Sequence, residues 1–250
     1  IGNRKEAIKT AIKELGTNEI LLVAGKGHEK IQDYGDKILN FSDKRVIKEI
    51  IKRKTFTNKN YWTNFIAQKS FKNNKLKNIN YNGVSINSKS MKKNNLFFAI
   101  KGKNTDGHKF VNEAIRKGAI KCVVSRKIKH VSKNKIIKVK NTFSSLNDLA
   151  RVNRNNTLAQ IIGITGSVGK TTLKNLISFA LKNYGNVYYS PYSYNNKFGV
   201  PFSLSNLKKN TEYGIFEIGM DKKGEINTLS KIVRPEIAVI TNIAEAHLKN

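Results

Sequence analysis

Residues 163–172 read Gly-Ile-Thr-Gly-Ser-Val-Gly-Lys-Thr-Thr, a glycine-rich loop that ends in a lysine and two threonines. The backbone N–H groups of such a loop point at phosphate oxygens, and the N-terminus of a following helix adds partial positive charge. Lys170 is placed to reach the β- and γ-phosphates of a nucleotide, and the Thr171 hydroxyl is placed to ligate Mg²⁺. The pattern therefore predicts an ATP site. The predicted nucleotide-binding residues are Thr165, Gly166, Ser167, Val168, Gly169, Lys170, Thr171 and Thr172.

The loop departs from the strict phosphate-loop pattern, which would have glycine in place of Ile164. The form present is T-G-x-x-G-K-T-T. A glycine-rich turn that only caps a helix is the alternative interpretation. An apolar run before the loop and a helical pattern of apolar residues after it favour phosphate binding.

Polar residues also follow other predicted strands. Glu217 ends an apolar run, where a carboxylate can bind a divalent cation, although a surface loop would also carry one. His247 lies six residues past the last predicted strand and could ligate a second metal ion, although a lone histidine is more often structural. The amides of Asn195 and Asn196 suit a polar substrate, but asparagine is common in loops. The predicted metal ligands are Thr171, Glu217 and His247, and the predicted catalytic residues are Lys170, Glu217 and His247.

Alternating strands and helices are predicted to position these residues. The pattern predicts a parallel sheet with helices on both faces, because strands from Gln160 onward alternate with helices. Ligands on such sheets lie at the carboxyl ends of the strands. The predicted strands there begin at 160 and span 187–189, 213–218 and 237–241, and the predicted helices span 169–183, 199–206 and 225–232.

Two further α/β patterns precede this region. A smaller α/β pattern has predicted strands at 84–86, 96–100, 120–124 and 136–139, with helices at 110–117 and 143–152. The first pattern has helices at 4–15 and 42–51 and a strand at 19–24, and it is too small to be a domain alone. The predicted limits are 1–53 for this first unit, 54–80 for a linker and the start of the next unit, 81–155 for a small α/β domain, and 156–250 for an incomplete nucleotide-binding domain.

The composition is strongly basic, with 47 Lys and Arg residues against 17 Asp and Glu residues and a formal net charge of +30. Such a charge raises the hypothesis of nucleic-acid binding. The basic residues are spread along the whole chain beside abundant Asn and Ile, which favours compositional drift instead. Cys122 is the one cysteine, so no disulfide forms within the chain, and no apolar stretch approaches the roughly 20 residues that span a bilayer. We expect a cytoplasmic protein with no membrane or nucleic-acid partner.

Four segments, in order, closely resemble the Mur ligase family. They read T-G-S-V-G-K-T-T at 165–172, Y-N-N-K-F-G-V-P at 194–201, E-I-G-M-D-K-K-G-E-I at 217–226 and T-N-I-A-E-A-H-L at 241–248. Segments at 84–90, 96–102 and 106–108 resemble the N-terminal, UDP-substrate-binding domain of the same family.

That resemblance implies substrate contacts at Ser88 and Lys89, and at Asn195 and Asn196. The family usually has Asp-Ser-Arg where this chain has Asn-Ser-Lys at 87–89, and lysine lacks the bidentate fork of arginine. The contact on the uridine side is therefore expected to differ from the family's usual one.

Residues 1–53 resemble the C-terminal end of a second Mur ligase. In that ligase a Gly-Lys-Gly-His-Glu loop, here residues 25–29, contacts the incoming amino acid, usually diaminopimelate. The resemblance implies contacts from Gly25 and Glu29, and a solvated loop is the alternative. No initiator Met separates the two resemblances, so we expect a fragment of a fusion of two consecutive ligases.

The resemblance implies ATP- and Mg²⁺-dependent amide formation in peptidoglycan precursor synthesis. A UDP-N-acetylmuramoyl-tripeptide carboxylate would attack the γ-phosphate to give an acyl phosphate, and the amine of D-alanyl-D-alanine would then attack the acyl carbon. The family's carbamylated lysine and C-terminal domain would lie past residue 250, so the fragment alone is expected to be inactive.

Two other function classes remain open. One is a basic P-loop GTPase or nucleic-acid-stimulated NTPase, because Asp-Lys-Lys-Gly at 221–224 mimics a D-x-x-G switch. The chain lacks the N-K-x-D-like segment that reads a guanine base. The other is a non-catalytic module that binds polyanions through its charge.

Overall fold

A computed structural model describes residues 3–15, 19–26, 29–33, 35, 37–55, 59–72, 79–102, 104–220 and 222–244, with only the backbone described between 52 and 62. The chain divides into two compact units, residues 1–57 and residues 58–250. The finer domain limits expected from the sequence remain predictions.

The first unit pairs two helices whose apolar faces meet. Ile8 and Ile12 of the first helix and Val46 and Ile50 of the second are buried, and each pair is four residues apart, so its members share one helix face. An antiparallel hairpin, which the sequence did not predict, lies between the helices in the chain. The elements are α1 (Arg4–Glu14), β1 (Ile31–Asp33), β2 (Ile38–Asn40) and α2 (Asp43–Thr55).

The strand predicted at 19–24 is wrong. The described residues there adopt no regular secondary structure, and the side chains of Ile20 and Leu22 are 96% and 85% exposed. A strand needs a hydrogen-bonded neighbour, and the described part of this unit offers none beside this segment. The two predicted helices of the unit are confirmed, with α2 running four residues further than expected.

The second unit contains two parallel sheets, which confirms the predicted α/β class. The strand orders are β3-β4-β5-β6 and β10-β7-β9-β8. Every pairing between these strands is parallel. The elements are α3 (Lys59–Phe71), β3 (Val84–Ser85), β4 (Leu96–Phe98), α4 (Val111–Arg116), β5 (Lys121–Val124), β6 (Ile136–Lys138), α5 (Thr142–Asn156), β7 (Gln160–Thr165), α6 (Lys170–Leu181), β8 (Val187–Tyr189), α7 (Gly199–Ser205), β9 (Tyr213–Glu217), α8 (Glu225–Val233) and β10 (Ile237–Ile240).

The sheet of β7 to β10 has helices on both faces, as predicted. Ile162 and Ile164 of β7 face α6, where they pack with its apolar residues. Ile161 of β7 and Phe216 of β9 face the other way, toward α7 and α8. Successive strand residues point to opposite faces, so an almost unbroken apolar strand such as β7 supplies two cores at once.

The helix α5 joins the two sheets and holds the ends of two other helices. The Asn153 side-chain amide donates to the carbonyls of Leu204 and Leu207, at 2.8 Å each, where α7 ends. The Arg154 guanidinium donates to the Val233 carbonyl at 2.6 Å, where α8 ends. These bonds fall on carbonyls at the ends of α7 and α8 or just beyond them, where the regular hydrogen bonding of a helix stops.

The sheet of β3 to β6 has a separate core against α4. Phe97 and Cys122 pack there with Val111 and Ala114. Burial raises the pKa of the Cys122 thiol to about 12, so this cysteine packs as a small apolar residue. The Phe71 ring of α3 stacks on Phe98 with ring centroids 6.2 Å apart, so α3 packs on the opposite face of this sheet, although the sequence did not predict a helix there.

None of the described helices is long and apolar enough to cross a bilayer.

Candidate nucleotide and metal site

The glycine-rich loop joins the end of β7 to the start of α6. Gly166 and Gly169 have φ values of +134° and +82°, a backbone region that residues with side chains rarely adopt. A Cβ atom at Gly166 would lie 2.1 Å from the Thr241 hydroxyl oxygen. Glycine is therefore required at position 166 both by conformation and by space.

The segment after β10 holds one side of this loop. The Ser167 N–H donates to the Asn242 carbonyl at 3.1 Å, and the Val168 N–H donates to Asn242 Oδ1 at 2.9 Å. The Thr241 hydroxyl donates to the Val168 carbonyl at 2.5 Å. Two of the N–H groups expected to face phosphate are thus directed at Asn242 in this structure. The first-turn N–H groups of α6 have no acceptor within the helix and remain oriented for an anion.

The Lys170 side chain folds back over the loop. Its Nζ atom donates to the carbonyls of Gly166 and Ser167, at 2.6 and 3.1 Å. The ammonium group therefore lies over the loop and beside the N-terminus of α6, where both groups present positive charge on the same side. This position is compatible with the predicted contact to phosphate oxygens.

Glu217, at the end of β9, is the buried carboxylate of the site. Its side chain is 1% exposed. The Thr171 hydroxyl donates to Oε2 at 2.8 Å, and the Asn195 amide donates to Oε1 at 2.8 Å. Lys174 Nζ lies 3.6 Å from Oε2. The structure thus brings together three predicted site residues, Thr171, Asn195 and Glu217, and adds Lys174, which the sequence did not indicate.

The loop of residues 190–196, here called the β8 loop, packs against the end of β9. The Ser190 hydroxyl accepts from the Glu217 N–H at 3.1 Å, and the Gly219 N–H donates to the Asn195 carbonyl at 2.8 Å. A Cβ atom at Gly219 would lie 2.8 Å from Asn195 Cγ, so a side chain there would displace the amide from the carboxylate.

The two predicted asparagines have different positions. Asn195 contacts the carboxylate of Glu217, whereas Asn196 Oδ1 accepts from the N–H groups of Phe198 and Gly199, at 3.1 and 3.0 Å. The second amide therefore helps to start α7. A substrate contact at Asn196 stays a prediction, and it would have to use the side-chain NH₂ group.

Ser88 and Lys89 line a cavity of about 540 Å³. Two aromatic residues of the region after β8, Tyr194 and Phe198, line the same cavity. The volume lies in the range of ordinary small-molecule sites. The cavity adjoins the β8 loop, whose Asn195 contacts Glu217.

The Ser88 side chain is already hydrogen-bonded within the protein. Its hydroxyl donates to Glu113 at 2.9 Å, and its carbonyl accepts from Lys117 at 3.0 Å. The hydrogen bond from Lys117, followed by that from Ser88, lowers the pKa of the Glu113 carboxyl. Because this hydroxyl donates its proton to Glu113, it can accept a hydrogen bond from a ligand, but it can donate one only after it rotates away from Glu113.

In the first unit, Gly25 and Glu29, the two residues predicted to contact an amino acid, are exposed. Gly25 has a φ of +109°, and the Glu29 carboxylate pairs with Lys26 at 2.9 Å. Arg4 donates to the carbonyl of Ala24 and to both oxygens of Asp43. The roles predicted for Gly25 and Glu29 stay predictions.

Mg²⁺ fits part of the predicted metal site. A carboxylate and a hydroxyl are the hard oxygen ligands that Mg²⁺ prefers, and Glu217 and Thr171 present both within 2.8 Å of each other. The predicted third ligand, His247, lies outside the described residues. Within the described part of the chain, no three His, Cys, Asp or Glu residues are grouped closely enough to hold a metal ion by themselves. Water and phosphate oxygens would complete the coordination, as is usual for Mg²⁺.

A sequence signal for Lys174 exists but is weak. Residue 174 lies three positions after Thr171 and four after Lys170, so the three share one face of α6. In a chain with 47 Lys and Arg residues, one more lysine on a helix carries little information. Only its burial, at 1% exposed, marks it.

Comparisons with known proteins agree with this geometry. Residues 80–162 match the model of the Mur ligase family, catalytic domain, and residues 164–250 match the Mur ligase middle domain. A UDP-N-acetylmuramoyl-tripeptide–D-alanyl-D-alanine ligase of Rickettsia prowazekii is 44% identical over 171 residues, which are 68% of this chain and 38% of that protein. The ligase of the same name from Bacillus subtilis is 35% identical over 169 residues, 67% of this chain and 37% of that protein. The chain thus spans under two fifths of these relatives.

Solved structures show the same likeness. A crystal structure of MurF from Acinetobacter baumannii has a TM-score of 0.65 and 29% identity, and the match covers 75% of this chain and 42% of that one. A MurF ligase from Thermotoga maritima in complex with ADP has a TM-score of 0.58 and 36% identity, over 69% of this chain and 40% of that one. Two consecutive family matches, these relatives and the geometry of the glycine loop lead to one conclusion: the chain belongs to the Mur ligase family.

Proposed function

We propose that this chain is part of an ATP-dependent ligase that adds D-alanyl-D-alanine to UDP-N-acetylmuramoyl-tripeptide in peptidoglycan precursor synthesis. The observation that carries the proposal is the position of the buried Glu217 carboxylate, 2.8 Å from the Thr171 hydroxyl that follows the glycine loop. The relatives bearing this ligase name, and the related structure with ADP, support the same reaction class.

The chain's own residues have separate roles in this proposal. The first turn of α6 and the Lys170 ammonium bind the β- and γ-phosphates, since both present positive charge on one side of the loop. Glu217 and Thr171 hold Mg²⁺, with His247 as a further ligand. When bound, Mg²⁺ stabilises negative charge as the nucleotide and the substrate carboxylate are brought together. Asn195 orients the carboxylate of Glu217 and fixes the adjacent β8 loop.

The UDP-linked substrate is proposed to enter through the cavity of about 540 Å³ lined by Ser88 and Lys89. That cavity borders the β8 loop, so a substrate that begins there can extend toward Glu217. The aromatic rings of Tyr194 and Phe198 provide apolar surface for a base or sugar. Lys89 supplies a point charge instead of the bidentate fork of arginine.

Residues 1–53 are proposed to derive from an upstream Mur ligase of the same pathway, with Gly25 and Glu29 facing an amino-acid substrate. The proposed location is the cytoplasm, because the family resemblance and a single buried cysteine suit a reducing compartment. Both proposals rest on the sequence resemblance.

The experiment is Mg²⁺-dependent ATP binding and D-alanyl-D-alanine addition by the intact protein, comparing wild type with Lys170→Ala and Glu217→Gln. Loss of a metal ligand is expected to lower metal affinity or activity by about 10–100-fold. Lys170→Ala is expected to abolish turnover while the far-ultraviolet circular dichroism is retained. The exposed Lys182, just after α6, provides the control variant Lys182→Ala. Wild-type turnover in both site variants would refute the proposed function.

A further inference from the structure

The ammonium of Lys174 is the buried cation of the nucleotide site. Lys174 lies on α6, one turn after Lys170 and Thr171, and is 1% exposed. A buried ammonium is costly unless it is paired and hydrogen-bonded. Its Nζ atom has two described partners: it donates to the Tyr192 carbonyl and lies 3.6 Å from Glu217 Oε2.

These two partners belong to different elements. Glu217 ends β9, whereas Tyr192 belongs to the β8 loop of residues 190–196. Tyr192 has a φ of +48°, which residues with side chains seldom adopt, and the residue is 85% exposed. Its ring meets the Tyr194 ring of the same loop edge-on, with the ring centroids 6.2 Å apart. The Tyr194 N–H closes this turn on the Pro191 carbonyl at 3.2 Å, and the hydrogen bond from Lys174 to the Tyr192 carbonyl joins the turn to α6.

The β8 loop is therefore joined to Glu217 twice. Asn195 donates directly to Oε1 at 2.8 Å, and Lys174 bridges Oε2 to the Tyr192 carbonyl. Both oxygens of the carboxylate are engaged from the same loop, on one side directly and on the other through the ammonium group. A rotation of the carboxylate would break one of these connections, so loop and carboxylate are expected to move together.

We propose that Lys174 is a positioning residue that sets the Glu217 carboxylate and the β8 loop in one arrangement for metal binding and for substrate. The inference rests on the proposed function, because it assigns Glu217 to the metal. Lys174 itself touches neither nucleotide nor substrate in this proposal. Its role is to couple the two, so that a shift of the β8 loop moves the Glu217 carboxylate and a shift of the carboxylate moves the loop.

A simpler role would be charge neutralisation, in which Lys174 only compensates Glu217. The two roles differ in whether the hydrogen bond from Lys174 to the Tyr192 carbonyl is needed. Neutralisation needs no bond to a neutral carbonyl, whereas positioning depends on it. An experiment that removes both charges together separates the two roles.

The first variant is Lys174→Met, studied by hydrogen exchange and by Mg²⁺ titration of ATP binding in the intact protein. We expect the Tyr194 and Asn195 amides, which are hydrogen-bonded inside the β8 loop, to exchange at least about tenfold faster. We expect the half-saturating Mg²⁺ concentration to rise about 10–100-fold, as for other outer partners of metal ligands. Lys182→Met is the matched control and should change neither quantity.

The second variant, Lys174→Met with Glu217→Gln, keeps the test valid if Lys174→Met alone folds poorly. Removing both charges leaves no unpaired buried ion, so the thermal midpoint should recover toward that of Glu217→Gln alone. The β8 loop should still exchange fast, because the Tyr192 carbonyl has lost its donor. If loop protection recovers together with the midpoint, Lys174 is a neutraliser and the inference is wrong.

The Mg²⁺ titration of the wild type distinguishes a failure of the proposed function from a failure of the positioning role of Lys174. Absence of Mg²⁺-dependent ATP binding in the wild type would refute the proposed function. If the wild type binds and a folded Lys174→Met variant retains both the wild-type Mg²⁺ half-saturation and the wild-type loop exchange, only the positioning role is refuted.

Discussion

The two parallel sheets of the second unit each have four strands, but the polar residues at their strand ends interact differently. After β4 and β5, Asp106, His108 and Ser125 bond to one another. His108 Nδ1 lies 2.7 Å from Asp106 Oδ1, and the Ser125 N–H donates to His108 Nε2 at 3.0 Å. Because Nε2 accepts that N–H, the ring proton is on Nδ1. This network satisfies its own members.

The strand ends of the other sheet leave capacity for a ligand. There the glycine loop leads into α6, and the carboxylate at the end of β9 lies beside a hydroxyl of α6, with two ammonium groups of the same helix nearby. A parallel sheet thus places strand ends along a common edge but does not by itself create a binding site there. Chemistry at that edge depends on whether the loops consume their polar groups internally or hold them for a partner.

The largest expected effect is on the glycine loop. Gly166→Ala places a Cβ 2.1 Å from the Thr241 hydroxyl and imposes a φ of +134° on alanine. Strain of about 1–3 kcal/mol in the loop corresponds to roughly a 10–100-fold loss of ATP affinity. The measurement is isothermal titration with Mg²⁺ and ATP. Gly102→Ala, in the loop after β4, is the control, because its Cβ would meet its nearest atom, the Thr105 carbonyl oxygen, at an ordinary 3.5 Å. Equal losses in both variants would contradict the contrast between the sheets.

A smaller effect, confined to stability, is expected for Asp106→Asn. Burial raises the pKa of Asp106, but hydrogen bonds from His108 and the charge of Arg126 outweigh it, so the net pKa is below its ordinary value. A carboxyl with a lowered folded-state pKa stabilises the protein above its unfolded pKa, about 3.9, and loses this contribution as the pH falls through the folded value. We expect Asp106→Asn to cost about 0.5–1.5 kcal/mol at pH 7.

The test is urea unfolding of wild type and Asp106→Asn from pH 7 to pH 3. The difference in unfolding free energy between wild type and variant that is due to this carboxyl should be fully present down to about pH 5 and shrink below it. Mg²⁺-dependent ATP binding should stay at the wild-type level at pH 7. A loss of ATP binding in this variant would show that the network of the first sheet also serves the site.

The smallest effect is expected from nucleic acid. The +30 charge predicts some attraction to a DNA duplex, and this attraction should fall steeply between about 50 and 200 mM salt. Because the basic residues are spread along the chain, DNA should leave the rate of ATP turnover unchanged. Fluorescence anisotropy with labelled DNA measures binding, and phosphate release measures turnover. Stimulation of turnover by DNA at about 150 mM salt would favour the nucleic-acid-stimulated NTPase instead.

Local patterns predicted most of the second unit correctly. The strands and helices after Gln160 lie within one or two residues of their expected limits, because apolar periodicity and glycine punctuation are local properties. The predictions fail where a local pattern has no tertiary partner, and where an element forms without a clear local pattern. The apolar run at 19–24 has no paired strand in the described residues. The helix α3 forms in a Lys- and Asn-rich segment whose few apolar residues show no clear helical period.

Residue types at short, fixed spacings were enough to predict the glycine-rich loop between a strand and a helix, the parallel α/β architecture and the family. Tertiary structure alone decided which polar residues meet. Asn195 reaches Glu217 while its neighbour Asn196 starts a helix, and Lys174 became a member of the site by burial. The physical reason is that the cost of burying a charge, and the partner that offsets it, depend on residues 18 and 43 positions away in the chain, here Tyr192 and Glu217.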